Sequence, residues 1–230
     1  MICVLQPTRG IMFTESQDEL EKQLASVNDN YTIIRTNDLP LPDSRNALKE
    51  AGLKTDAEYF LLLDDDIVLP EKGLATMLFE MKKSDIAFCD YPYHSLKDGK
   101  MTGVTVYYDW DGESKPKGDI AWSGLGCVMV KRKVLESTVF RLSEYRFKRE
   151  KGKLKMALDK DNHMIGGQGK SAGEDTAFYL EARANKFKIK CVGKIAKHLR
   201  IEKFVFRVGN GRYQTCHTIK GNDRVDTPEI

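Results

Sequence analysis

Through the first 90 residues, strand-sized apolar runs alternate with helical stretches, and this alternation constrains the fold more than any other feature of the chain. Residues 2–6 form a short apolar run that ends at Gln6-Pro-Thr-Arg-Gly10. Leu20, Leu24 and Val27 then recur at helical spacing in a charged segment opening near Thr14-Glu15. Tyr31-Thr-Ile-Ile-Arg-Thr36 is rich in β-branched residues and reads as a second strand. Asp38-Leu-Pro-Leu-Pro-Asp43 reads as a turn, with a helix near 44–53 closing at or just beyond Gly52. Glu58-Tyr-Phe-Leu-Leu-Leu63 is apolar without alternation, as expected of a strand covered on both faces of a parallel sheet. A helix follows Pro70, and Ile86-Ala-Phe-Cys89 is the next strand. The expected fold is α/β, an open, mainly parallel sheet with helices on both faces.

The middle of the chain departs from that rhythm. Val104–Tyr108 and Ile120–Trp122 flank a polar turn around Asp111-Gly112-Glu113, which predicts a small antiparallel pair. Val128-Met-Val130 predicts a short strand leading into a helix over 131–137. Residues 141–173 are rich in Lys, Arg and Gly and read as a long charged loop. A helix from 174 to about 185, a strand at 187–192 and a basic tail complete the chain. With no internal repeat or clean linker, the body is taken as one domain over 1–200. Its halves are 1–90 and 91–200, and 201–230 is a basic C-terminal extension.

Charge is distributed unevenly. The net formal charge is +3, yet residues 186–224 hold eleven Lys/Arg against two acidic residues, and residues 141–170 hold nine against four. Such segments suit a phosphate-bearing ligand, although a uniformly solvated surface would have the same composition. The five cysteines are widely spaced, without a C-x-x-C pair, and read as reduced, mostly buried thiols. No apolar run approaches the ~18 residues of a membrane span, and Met1-Ile-Cys-Val-Leu5 reads as a strand and not a leader, so a cytoplasmic location is expected.

Asp64-Asp65-Asp66 directly follows the apolar strand, and ligands of open α/β sheets gather beyond the carboxyl ends of the strands. Three adjacent carboxylates repel one another, which a divalent cation would relieve, and residues i and i+2 of an extended segment face one way. A solvated acidic turn is the plainer reading. Glu174 and Asp175 open an amphipathic helix carrying Ala177, Phe178, Leu180 and Ala184. There they either complement the helix dipole or present a general base. His198, just past the strand at 187–192, is either structural or a nitrogen ligand supplementing carboxylates. The G-x-x-x-x-G-K-[ST] phosphate loop and a nicotinamide-type glycine fingerprint are both missing, and Gly124-Leu-Gly126 alone is weak.

Taken in order, these pieces resemble a nucleotide-sugar glycosyltransferase of the GT-A fold, particularly the large family-2-like group. The matching parts are Pro7-Thr-Arg9, the pair Arg45-Asn46, Leu61-Leu-Leu-Asp-Asp-Asp66-Ile-Val-Leu-Pro70, Ser123-Gly-Leu-Gly-Cys-Val-Met-Val-Lys-Arg132, Glu174-Asp175 and His198. The resemblance implies a Rossmann-like, mainly parallel sheet with a small antiparallel acceptor-side sheet. The nucleotide-sugar half would be 1–90 and the acceptor-side half 91–200, with a basic Gly-rich loop at 141–173; from its charge and glycine content, Lys and Arg of 141–170 are expected to fold over the diphosphate. By position it assigns Pro7, Thr8, Arg9, Asp38, Arg45, Asp64 and Asp65 to the nucleotide sugar, and Trp122, Gly124 and Gly126 to the acceptor side. Asp66, Asp64 and His198 would hold Mn2+ or Mg2+. Asp175 would be the base of an inverting transfer, with Glu174 positioning the acceptor or the base.

The implied donor is a nucleotide-diphosphate sugar, UDP-linked first of all, although the family's acidic base-contacting segment is not evident and Asp38 is the only nearby substitute. The acceptor is a saccharide, a lipid, a protein or DNA. DNA enters because Phe204, Phe206 and Tyr213 interleave with Lys203, Arg207 and Arg212. A reading from another class is a metal-dependent nuclease or nucleotidyltransferase built on Asp64, Asp66 and Asp175. A catalytically silent sugar-nucleotide binder is a third.

Overall fold

The computed structural model describes residues 1–8, 13–27, 29–37, 39–94, 101–104, 107–108, 120–141, 143–150, 153–156, 168–172, 174–208 and 212–220. Side-chain surroundings are described for 1–8, 13–27, 29–37, 39–92, 123–141 and 174–199. In chain order the elements begin β1 (Ile2–Thr8), α1 (Thr14–Ser26), β2 (Tyr31–Asn37), α2 (Leu41–Leu53), β3 (Tyr59–Leu63), β4 (Ile67–Val68), α3 (Gly73–Glu80) and β5 (Ile86–Asp90). Next come β6 (Pro92–His94), β7 (Met101–Val104), β8 (Tyr107–Tyr108), β9 (Ile120–Trp122), β10 (Cys127–Lys131) and α4 (Arg132–Ser137). The chain continues through β11 (Ser143–Glu150), β12 (Lys153–Met156), β13 (Gln168–Ala172) and α5 (Glu174–Ala184). It closes with β14 (Ile189–Ile195), β15 (Lys197–His198), β16 (Arg200–Val208) and β17 (Arg212–Lys220).

Six strands form the central sheet in the order β14-β5-β10-β3-β1-β2. The β1–β2, β1–β3 and β5–β14 pairs are parallel, and β10 runs antiparallel to both β3 and β5. The fold is therefore α/β and Rossmann-like, with one reversed strand in the middle. The unbroken apolar character of β3 follows from its two covered faces. Leu61 and Leu63 pack on one side with Leu20 and Leu24 of α1 and with Leu74 and Met77 of α3. Phe60 and Leu62 pack on the other with Leu48 of α2, Val134 and Leu135 of α4, and Phe178, Tyr179 and Ala182 of α5. Each fully buried side chain of this size contributes roughly 1.5–3 kcal/mol, so β3 anchors both layers at once.

Three segments differ from the sequence reading. Helix α2 starts at Leu41, inside the stretch expected as a turn, because Pro42 lies in the first turn, where no intrahelical N–H is required. Within 141–173, expected as a loop, β12-β11-β13 form an antiparallel sheet. Tyr145 and Phe147 alternate there with Glu144, Arg146 and Lys148, a period-2 signal hidden by the charge. Much of the basic extension is also ordered as a hairpin, Arg200 pairing with Lys220 and Val208 with Arg212. The expected antiparallel pair is present as β8–β9, beside a second pair, β6–β7. Cys3, Cys89 and Cys127 are buried free thiols and Cys191 is a half-buried one, while Cys216 lies outside the described side chains. Among the described residues no helix is long and apolar enough to cross a membrane.

Candidate functional site

The carboxyl ends of β1 and β3 open into a cleft of about 570 Å³ lined by Pro7, Thr8, Leu39, Pro40, Leu41, Asp64, Asp65 and Asp66. Its size falls in the range of small-molecule and cofactor sites. Pro7 and Thr8 are the last residues of β1, and the Thr8 hydroxyl donates to the Thr36 carbonyl at 3.0 Å, fixing that wall to β2. Leu39, Pro40 and Leu41 bring the α2 N-terminus to the opposite wall, with Leu39 46% exposed. The acidic triplet forms the turn between β3 and β4.

Backbone pairing shapes that turn. Asp64 N–H donates to the Gly126 carbonyl at 3.0 Å, Ile67 N–H donates to the Asp64 carbonyl at 3.2 Å, and Leu199 N–H donates to the Asp66 carbonyl at 2.7 Å. Strand β15 pairs antiparallel with β4, His198 opposite Ile67, so the histidine arrives beside Asp66 from 132 residues away. His198 Nε2 lies 3.3 Å from Asp66 Oδ2, and its Nδ1 lies 2.9 Å from the Pro92 carbonyl. A carbonyl and a carboxylate both only accept, so the hydrogen bond to Asp66 needs a proton on Nε2 as well as on Nδ1, and Nε2 is the nitrogen open to a cation beside Asp66 once that proton leaves. Burial acts to lower the His198 pKa, but the hydrogen bond and charge of Asp66 outweigh it and the net direction is up.

Asp64 has a different partner. Arg45 of α2 is only 3% exposed, and it donates from Nη2 to Asp64 Oδ1 at 2.9 Å and from Nε to Glu174 Oε1 at 3.1 Å. One guanidinium thus spans the turn after β3 and the first residue of α5. Among the described residues its buried Nη1 has no hydrogen-bond partner. Burial raises the Asp64 pKa from its ordinary value despite the opposing Arg45 charge, and the neighbouring Asp66 adds to the rise. The adjacent Asn46 clamps α2 to the chain beyond α4, its Nδ2 donating to the Phe140 carbonyl at 2.7 Å and its Oδ1 accepting from Phe140 N–H at 3.3 Å. Next to Glu174, Asp175 Oδ1 accepts from Thr176 N–H at 2.7 Å. Burial raises the Asp175 pKa against that hydrogen bond, and Glu174 pushes the same way. A carboxylate shifted upward is better matched to taking a proton near neutral pH.

Gly124 and Gly126 are shaped by Tyr91, which follows β5 and was not singled out in the sequence. A Cβ on Gly124 would lie 2.0 Å from the Tyr91 hydroxyl oxygen, and one on Gly126 would lie 2.9 Å from both that oxygen and Asp64 Oδ2. The Tyr91 oxygen accepts from Gly126 N–H at 3.0 Å, and its ring meets His198 edge-on with centroids 5.7 Å apart. An aromatic residue directly after a buried apolar strand was the signal available for it.

Of the candidate residues, Pro7, Thr8, Asp64, Asp65 and Asp66 therefore line one cleft, Arg45 joins Asp64 to Glu174, and His198 joins Asp66. Arg9, Asp38 and the Trp122 side chain lie outside the described residues, as do the side chains of the basic 141–173 segment except Arg141 and those of 200–220. Among the described residues no three His, Cys, Asp or Glu side chains are grouped closely enough to hold a metal ion. Asp66 and His198 form a two-residue set, a carboxylate oxygen and an imidazole nitrogen. That set fits a divalent cation whose remaining positions are filled by water or ligand oxygens.

No protein-family model matches the chain, and no curated protein does. Among solved structures, A197 from STIV superimposes with a TM-score of 0.52 at 20% identity, covering 100% of this chain and 98% of that one. The two share a fold. A glycosyltransferase involved in the glycosylation of the major capsid of PBCV-1 gives a TM-score of 0.36 at 16% identity over 59% of this chain and 62% of that one. HddC from Yersinia pseudotuberculosis, complexed with GMP-PN, gives 0.33 at 15% identity over 59% and 79%. Overlaps this partial define neither fold nor function.

Proposed function

We propose that the protein is a GT-A-type glycosyltransferase that moves a sugar from a nucleotide-diphosphate donor to a hydroxyl acceptor. The observation carrying this reading is the acidic cleft beyond β1 and β3. It is lined by Asp64-Asp65-Asp66 together with Pro7, Thr8 and Leu39–Leu41, and His198 lies beside Asp66. The apolar wall suits a nucleobase, and the acidic turn suits a diphosphate accompanied by a cation.

Asp66 and His198 would hold Mn2+ or Mg2+, which when bound would offset the negative charge growing on the departing diphosphate. Asp175 accepts the proton of the acceptor hydroxyl as its oxygen bonds to the anomeric carbon, and the bond from that carbon to the diphosphate oxygen breaks with its electron pair. Attack opposite the leaving group inverts the centre. Arg45 pairs with Asp64 and Glu174, while Asp66 is met by His198.

The test is a thermal-shift panel of nucleotide sugars, nucleoside triphosphates and sugar phosphates, each with and without Mn2+. At one hundred times its Kd the donor adds about 2.7 kcal/mol, which for a chain of this size raises Tm by roughly 5–10 °C. The reading fails if no nucleotide sugar stabilises the protein, or if a triphosphate together with a sugar phosphate does so and is converted to a nucleotide sugar.

A further inference from the structure

The buried guanidinium of Arg45 does more than neutralise an aspartate. It makes two hydrogen-bonded ion pairs from different nitrogens, to Asp64 at the donor-side turn and to Glu174 at the first position of α5. Those carboxylates are far apart in the chain, and Arg45 is 129 residues from Glu174. Asn46 grips the Phe140 backbone on the next position of the same helix, so the α2 segment carrying Arg45 is itself held in place. Gly126 leaves room for Asp64 to lie against it, and its carbonyl receives the Asp64 N–H. The arrangement fixes the start of α5, and with it Asp175, relative to the cleft.

We infer that Arg45 is a positioning residue that registers the acceptor-side carboxylates Glu174 and Asp175 against the donor-side turn. The inference rests on the glycosyltransferase reading and adds to it the division of labour inside the acidic turn. Asp64 is the counter-ion through which the turn is tied to α5, and the metal-facing carboxylate is Asp66. A lysine cannot reproduce the tie, because a single ammonium does not present the fixed fork with which a guanidinium reaches two carboxylates.

The experiment compares Arg45→Lys, Glu174→Ala and the double variant, using the donor that stabilises the wild-type chain in the thermal-shift panel and its turnover in the presence of Mn2+. Each single variant should lower kcat by about 10²-fold, the loss expected from misplacing a reacting group by about 1 Å. The donor KM and the Mn2+-dependent upshift in Tm should stay close to the wild-type values. The double variant should be little worse than the poorer single one, since both remove one connection. A rise in donor KM with kcat preserved would make Arg45 a donor-binding group, and losses that multiply would make the two residues independent; either overturns the inference. If Arg45→Lys does not fold, Glu174→Ala alone still decides between a kcat and a KM effect. Failure of the underlying reading shows separately, as full turnover by Asp175→Asn or as no stabilising donor at all.

Discussion

Asp64 and Asp66 stand two residues apart on one turn, yet they occupy different electrostatic surroundings. Both line the cleft, but Asp64, its side chain 25% exposed, is paired with an arginine that is itself enclosed by protein and shared with Glu174. Asp66 is turned to the cleft, its side chain 35% exposed and its neighbour a histidine. Residues of the same charge on one turn can thus be divided between an enclosed ion pair and a more open contact. What divides them is where the oppositely charged partner is delivered: α2 brings Arg45 to one side of the turn and β15 brings His198 to the other.

Breaking the inner side should give the largest effect on stability. Arg45→Met leaves two largely buried carboxylates without compensation and should cost about 3–5 kcal/mol in urea unfolding, the range for a broken buried ion pair. Equal stability of the variant and the wild type would dissolve the contrast. Breaking the outer side should spare the fold and remove function. Asp66→Ala should lower sugar transfer by about 10²–10³-fold, as for loss of one element of transition-state charge stabilisation, with a stability change under about 1 kcal/mol.

Gly124→Ala tests the element that touches both sides. Its methyl group collides with Tyr91, whose hydroxyl anchors Gly126 and whose ring meets His198, so destabilisation of about 1–3 kcal/mol should accompany loss of cation-dependent donor binding. The smallest effect concerns pH. A carboxyl whose folded pKa is raised favours the native state below its unfolded pKa, and that contribution is lost as pH rises through the folded value. Burial raises Asp175 in this way. Urea midpoints of wild type and Asp175→Asn should therefore diverge as pH rises from below the ordinary carboxylate range, with the variant gaining. Parallel curves would mean that Asp175 carries no such penalty.

Much of the architecture was legible in the chain itself. The uniform apolar run of β3 announced a strand covered on both sides, and the spacing of Leu20 and Leu24 announced α1, because burial of one or two faces writes its period into neighbouring residues. The place of the triplet at the mouth of the sheet was legible for the same reason, since its position follows from the element before it. Less was readable where two local signals compete. In 143–150 the density of charge masked the alternation of Tyr145 and Phe147, and at 40–42 the prolines suggested a turn although the helix starts there.

Other parts of the site left no local trace. Nothing near Tyr91 announces that it fills the space above Gly124, and nothing near Arg45 names Glu174 as a partner. The sequence by itself determined the alternation of strands and helices over the first 90 residues, and that acidic residues sit at the end of a buried strand and the start of an amphipathic helix. Only the tertiary structure decided that Asp64 belongs to Arg45 and Asp66 to His198. Those partners lie 19 and 132 residues away, and their meeting depends on strand order and helix packing, to which local periodicity is blind.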